Sequence, residues 1–207
     1  MDADRLHSLL QKHLPPAALA YCFRLWQEQP FEFKLRKTRV SKIGDFTCRP
    51  GKVPRITVNH DSHPYLFLLT YIHEVAHLVV HKQSGWRLEA HGREWKDAFR
   101  ALLAPILTTA VFTDDLLSAL SKHMVNPRAS SFSDAALSAC LRQHDERLRS
   151  VTLLSEIPEG SVFGIRDRWF TKGQQKRTRV VCREVKTSRR YLVPLNAAVE
   201  CGQLSLL

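Results

Sequence analysis

The segment from Tyr65 to Val80 is apolar almost throughout, except for one central turn that reads His73-Glu74-Val75-Ala76-His77. A run of this length with no glycine or proline is too long for an ordinary strand and suits a buried helix. On a helix, positions four apart lie one above the other, so His73 and His77 can present their imidazoles to one ion with Glu74 beside it. Burying such groups without partners costs roughly 1–3 kcal/mol each, and more for the charge. A bound cation offsets that cost. The expected ion is one catalytic zinc, which takes neutral imidazoles as ligands, needs a third protein ligand and leaves one position to water. Glu74 is the expected general base, because zinc brings the pKa of water to about 7 and a nearby carboxylate can then take its proton.

Three residues downstream are candidates for the third ligand. His81 continues the series, but it lies about 12 Å beyond His73 at the helical rise per residue, too far for one ion, and is expected on the exposed end of the helix. Glu89 would make a His-His-Glu site. His91 is the choice made here. It precedes Gly92, which loosens the backbone, and a second helical stretch from about Glu94 to Leu107 whose apolar stripe is Trp95, Phe99, Leu102 and Leu103. A histidine at the entry to a helix packed on the first can reach the same ion.

Several separate motifs then fall in a familiar order. Pro64-Tyr65-Leu66-Phe67-Leu68 leads into the HExxH turn, and His91-Gly92-Arg93-Glu94-Trp95 follows it. Lys42-Ile43-Gly44-Asp45 and Arg55-Ile56-Thr57-Val58-Asn59 stand upstream, with Asn126-Pro127-Arg128-Ala129-Ser130 downstream. In these elements the chain resembles the SprT-like zinc metalloproteases over roughly residues 5 to 150. The resemblance implies an α+β, zincin-like catalytic domain over residues 1–150, with His73, His77 and His91 as zinc ligands and Glu74 as general base. It also implies a substrate class: proteins bound or crosslinked to DNA, cleaved in place. The alternative is a non-catalytic zinc-containing nucleic-acid or transcription-associated binding protein. Glu74 argues against it, since a structural site takes a fourth protein ligand in place of water and needs no base.

Around that helix, residues 2 to 28 read as helix broken at Pro15-Pro16. Phe31–Arg36, Gly44–Cys48 and Arg55–Asn59 alternate as strands of a small antiparallel sheet, with a turn at Pro50-Gly51. Asp114 opens a further helix, and Ser133 is placed to cap an amphipathic stretch over residues 134–149. Between Val151 and Gly160 the texture turns β-rich and basic, so residues 151–207 are expected to form a separate small unit. Its strands are expected at Ser161–Gly164, Trp169-Phe170, Arg179–Arg183 and Arg190–Val193, with turns at Gly173 and Thr187-Ser188. Many relatives of the resembled family carry a zinc ribbon here. Only Cys182 and Cys201 remain in this region, so a degenerate, metal-free unit held by apolar packing is expected.

The chain carries 31 Lys and Arg against 20 Asp and Glu, a net charge of +11. The excess is concentrated in Arg166, Arg168, Lys172, Lys176, Arg177, Arg179, Arg183, Lys186, Arg189 and Arg190, opposed in that stretch by Asp167 and Glu184. Interleaved with Trp169, Phe170 and Tyr191, these residues are candidates for binding DNA, single-stranded or junction-like, through phosphate contacts and base stacking. Five scattered cysteines without a CxxC suggest reduced thiols. No apolar run reaches the ~20 residues of a membrane span and the first residues are not a signal peptide, so no membrane partner and a cytoplasmic, DNA-associated location are expected.

Overall fold

The fold is described from a computed structural model over residues 2–39, 42–85, 88–128, 134–149 and 151–201. The chain is mixed α+β, 46% helical and 22% strand. It divides into two compact units, Met1–His144 and Asp145–Leu207. Among the described residues no helix is long and apolar enough to cross a membrane.

The first unit begins with α1 (Ala3–His13), capped by the Asp2 carboxylate, which accepts from the Asp4 N–H. Pro15-Pro16 stops it, and a 3-10 turn leads into α2 (Leu19–Glu28). Three strands follow, β1 (Glu32–Arg36), β2 (Gly44–Thr47) and β3 (Arg55–Asn59), in the spatial order β1-β3-β2. The sheet is mixed, which corrects the antiparallel expectation: β1 and β3 are parallel, and β2 and β3 antiparallel. Alternation fixes faces and not neighbours. Here the hairpin through Pro50-Gly51 folds β3 back between β2 and β1, so the strand latest in sequence becomes the central one. Its burial follows: Ile56, Thr57, Val58 and Asn59 are all buried.

The apolar segment is α3 (Pro64–Ser84). His63 caps its start by accepting from the Tyr65 N–H, Pro64 occupies the first turn, and Gly85 ends it in the left-handed region at φ 62°, a conformation that favours glycine. The helix is buried on most of its circumference, against Phe33 of β1 through Phe67 and Tyr71, and against α2 through the Tyr71 hydroxyl, which donates to the Cys22 carbonyl. Its less buried stripe is His73, His77 and His81, four residues apart. Helix α4 (Arg93–Leu103) packs on α3 and stops where Pro105 enters a 3-10 turn, four residues short of the Leu107 expected from the apolar spacing. Then come α5 (Asp114–Val125) and α6 (Ala135–His144). Ser133 and Ala129-Ser130 lie outside the described residues. The Asp134 carboxylate caps α6, accepting from the N–H groups of Ala136 and Leu137, and also binds the buried His123 of α5 at 3.0 Å. The helical stretch expected over residues 134–149 breaks at Asp145 before the short α7 (Glu146–Arg149).

The second unit is an antiparallel sheet of six strands, β4 (Thr152–Leu153), β5 (Val162–Ile165), β6 (Arg168–Gln175), β7 (Arg179–Glu184), β8 (Arg190–Pro194) and β9 (Ala198–Cys201), in the order β4-β9-β5-β6-β7-β8. Arg166-Asp167, both at positive φ, form the tight turn between β5 and β6. Gly173 is not a turn, contrary to expectation. It sits inside β6 at a register shift, where a side chain would come within 2.6 Å of the Val181 carbonyl oxygen. Leu154, Ile157, Phe163, Phe170, Val180, Cys182 and Val199 form the core.

Candidate metal centre

The backbone of α3 places His73 and His77 one turn apart on one face, and the turn before α4 brings His91 across to them. The three Nε2 atoms form a nearly equilateral triangle, 3.1 Å from His73 to His77, 3.1 Å from His77 to His91 and 3.2 Å from His91 to His73. Zinc–nitrogen bonds of 2.0–2.1 Å in a tetrahedral site set ligand atoms about 3.3 Å apart. The triangle therefore fits one such ion. The donor chemistry agrees, because burial, aided by mutual repulsion, pulls His73 down to about 3 and His77 to about 4; burial also lowers His91, against the upward pull of Glu89. At neutral pH these are neutral imidazoles, the ligating form. Among the described residues this is the one group of His, Cys, Asp and Glu whose ligand atoms converge in this way.

Trp95, fully buried on α4, forms the wall behind the triangle. Its ring centroid lies 4.6 Å from His73, 5.5 Å from His77 and 4.8 Å from His91, while Phe99 stacks on its other side at 5.0 Å. Its Nε1–H points at the His73 carbonyl at 3.4 Å. The sequence stripe marked Trp95 as core; its contact with all three imidazoles comes from the crossing of the two helices. Gly92 acts through closeness and not looseness: its φ is an ordinary −70°, and a Cβ there would meet Glu89 Cβ at 3.1 Å and the Glu89 carbonyl oxygen at 3.3 Å. Glu89 is exposed and outside the cluster. His81 is also outside it, but half-buried against Phe46 at 5.6 Å and not on an exposed helix end.

Glu74 is buried and turns toward β2. Its carboxylate accepts the Phe46 backbone N–H, while the Phe46 ring lies parallel to His77 at 6.4 Å, so one residue of β2 touches both the acid and a ligand. Room for the acid comes from Gly44, where a Cβ would fall 2.4 Å from Glu74 Oε1 and 2.5 Å from Thr70 Cγ2. This role was not assigned from sequence, although a glycine inside a strand signals close approach. Burial, with Asp45 adding to it, pushes Glu74 up to about 8, against the pull of Arg39, Lys42 and the Phe46 N–H. Arg39 and Lys42 are held by Asn59, whose side chain accepts from Arg39 Nε and donates to both their carbonyls. A divalent cation at the triangle would favour the ionised acid and bring that value down.

The ten basic residues of the second unit have diverse settings. Lys172 is corrected: it faces inward, 6% exposed, and donates to the Ile157 carbonyl at 2.5 Å, because strand alternation puts it on the same face as Phe170. Arg168 is occupied by Glu184 at 2.7 Å and lies over the rings of Tyr191 and Phe170 at 4.7 and 5.2 Å. Phe170 is buried and Tyr191 half-buried under that guanidinium, so of the three aromatics Trp169 alone is exposed, at 44%. Arg166, Lys176, Arg177, Lys186 and Arg189 occupy turns, and Arg179, Arg183 and Arg190 lie exposed on β7 and β8. Compared with known proteins, the chain matches no protein-family model, no curated protein and no solved structure.

Proposed function

We propose that the first unit is a zinc-dependent endopeptidase of zincin-like fold, similar to the SprT-like metalloproteases, and that its substrates are proteins bound or crosslinked to DNA. The single observation that carries the peptidase reading is the Nε2 triangle of His73, His77 and His91 with a buried Glu74 one residue along the same helix. Zinc bound there supplies Lewis acidity toward a carbonyl and acidifies water. Glu74 takes the proton of the attacking water and then delivers it to the leaving amine. The Phe46 N–H keeps the carboxylate aimed. Trp95 keeps bulk solvent from the rear of the ligands. The basic second unit supports the nucleic-acid part of the reading.

The test joins metal analysis to cleavage of a DNA-bound protein. Wild type should hold one zinc equivalent and cleave. His77→Ala should lose the metal, and Glu74→Gln should keep the metal but not the activity. Equal cleavage by Glu74→Gln would refute the mechanism.

A further inference from the structure

On the face of the small sheet turned away from α3 lies a cleft of about 660 Å³ that plays no part in the metal centre. Its floor is one row of register partners, Glu32 of β1, Arg55 of β3 and Thr47 of β2. The adjoining row, Phe33, Ile56 and Phe46, turns inward, with Phe33 against Phe67 and Phe46 beside His77. Strand alternation therefore puts the sheet between this cleft and the zinc helix. Clefts of about 300–1,000 Å³ are the ones that bury a ligand.

Two chemistries meet in it. Trp26 and Pro30 line it from the β1 side. The indole spends its one polar atom on the Phe31 carbonyl, to which Nε1–H donates at 2.8 Å, and Phe23 stacks on the ring at 5.9 Å, so this wall is carbon held in a fixed orientation. Val53, from the turn joining β2 to β3, adds an aliphatic side chain that is 66% exposed. Arg49 and Lys52 stand on the same turn, both exposed, and neither has an ion-pair partner among the described residues. The one acid of the lining, Glu32, is neutralised locally: Lys34 binds one carboxylate oxygen at 2.6 Å and Arg55 the other at 2.5 Å. Two unanswered positive charges are left beside exposed carbon.

We infer that this cleft docks an acidic peptide segment of a partner protein, with one bulky apolar side chain of the segment against Trp26, Pro30 and Val53 and its flanking carboxylates on Arg49 and Lys52. Charge complementarity selects the acidic flanks, and the carbon wall selects the apolar residue between them. A nucleic-acid strand carries a phosphate at every nucleotide and is followed by a track of cations. Here the unpaired cations sit three residues apart on a single turn, next to an aliphatic side chain. The inference stands apart from both the zinc and the nucleic-acid parts of the reading above, and a peptide held behind the sheet leaves the metal centre open.

The experiment follows the Trp26 indole N–H resonance of the full chain by nuclear magnetic resonance while the peptide Asp-Glu-Asp-Leu-Phe-Glu-Asp-Glu is added to about 1 mM, a concentration that populates even a weak site. The resonance should shift and saturate, with an affinity that falls as salt is raised. Arg49→Glu with Lys52→Glu should weaken binding about tenfold, and Val53→Ser about fivefold; all three positions are exposed, so the thermal midpoint should stay unchanged. Replacing Leu-Phe by Ser-Ser in the peptide should weaken it about 10- to 150-fold, the worth of one large buried side chain. A resonance that does not move, full affinity in the double variant, or equal affinity of the Ser-Ser peptide overturns the proposal. A thymidine oligonucleotide that shifts the resonance as strongly assigns the cleft to nucleic acid, and a shift with protein concentration alone assigns it to a second copy of the chain; either result also overturns it. The measurement involves no hydrolysis and no metal, so its failure leaves the peptidase reading intact, and an inert zinc site leaves this cleft intact.

Discussion

Around α3 the polar groups are walled in: three imidazoles converge within 3.2 Å, Trp95 lies behind them and Phe46 holds Glu74 from the strand side. On β7 and β8, by contrast, Arg183 and Arg190 stand in solvent opposite one another. The difference teaches where sequence spacing carries three-dimensional information. A buried polar group persists only with a specific partner, so its position is dictated by the fold. An exposed charge is free of that demand, and its neighbours in sequence say little about its neighbours in space.

The largest expected break in this contrast is chemical. Glu74→Gln should lower cleavage of a DNA-bound protein by about 10²- to 10⁴-fold while zinc content stays the same, as measured by initial rates and elemental analysis. Removing the metal sharpens the comparison through pH. The three histidines have folded pKa values below their ordinary 6.5, so the unfolded chain binds more protons in the interval beneath it. The contribution of these histidines to the stability of the metal-free chain should therefore be fully present above pH 6.5 and be lost as pH falls through about 4 and 3. A triple exchange to glutamine should flatten that acid limb in thermal melts; an acid limb of the same depth would show that the histidines are not its origin.

Smaller effects follow from packing. Trp95→Ala should cost about 3–5 kcal/mol in denaturant unfolding and weaken metal retention, because it empties the space behind all three ligands. In the second unit, Lys172→Met should cost about 1–3 kcal/mol by leaving the Ile157 carbonyl without its donor. Arg177→Gln, in an exposed turn, should stay within about 0.5 kcal/mol. Equal effects at Lys172 and Arg177 would contradict the inward placement of the lysine.

The helix α3, its central histidines and the partnership with His91 were legible because period and length act locally: an apolar stretch without glycine until Gly85 can only be a long helix, and a short connection returns His91 to it. The positions of β1, β2, β3, β5, β7 and β8 were legible for the same reason, whereas β4 and β9 were not expected and β6 runs through the turn expected at Gly173. The parallel pairing of β1 with β3 was not, since alternation is blind to which strand lies next to which. Nor was the space at Gly44, which depends on how closely α3 crosses β2. In the second unit, charge counting placed Lys172 among surface groups, whereas the Ile157 carbonyl claims it internally; Arg168 is exposed as expected, but paired with Glu184. Their partners are 15 and 16 residues away, beyond what local pattern can report.

The wall formed by Trp95 gives the protein an optical gauge of its own. An indole in touch with every ring of the triangle lies within contact range of an ion bound there, so copper(II) or cobalt(II) binding at the triangle should quench its emission. Loading and release can then be timed by stopped-flow without attaching a dye, with Trp95→Phe as the silent reference.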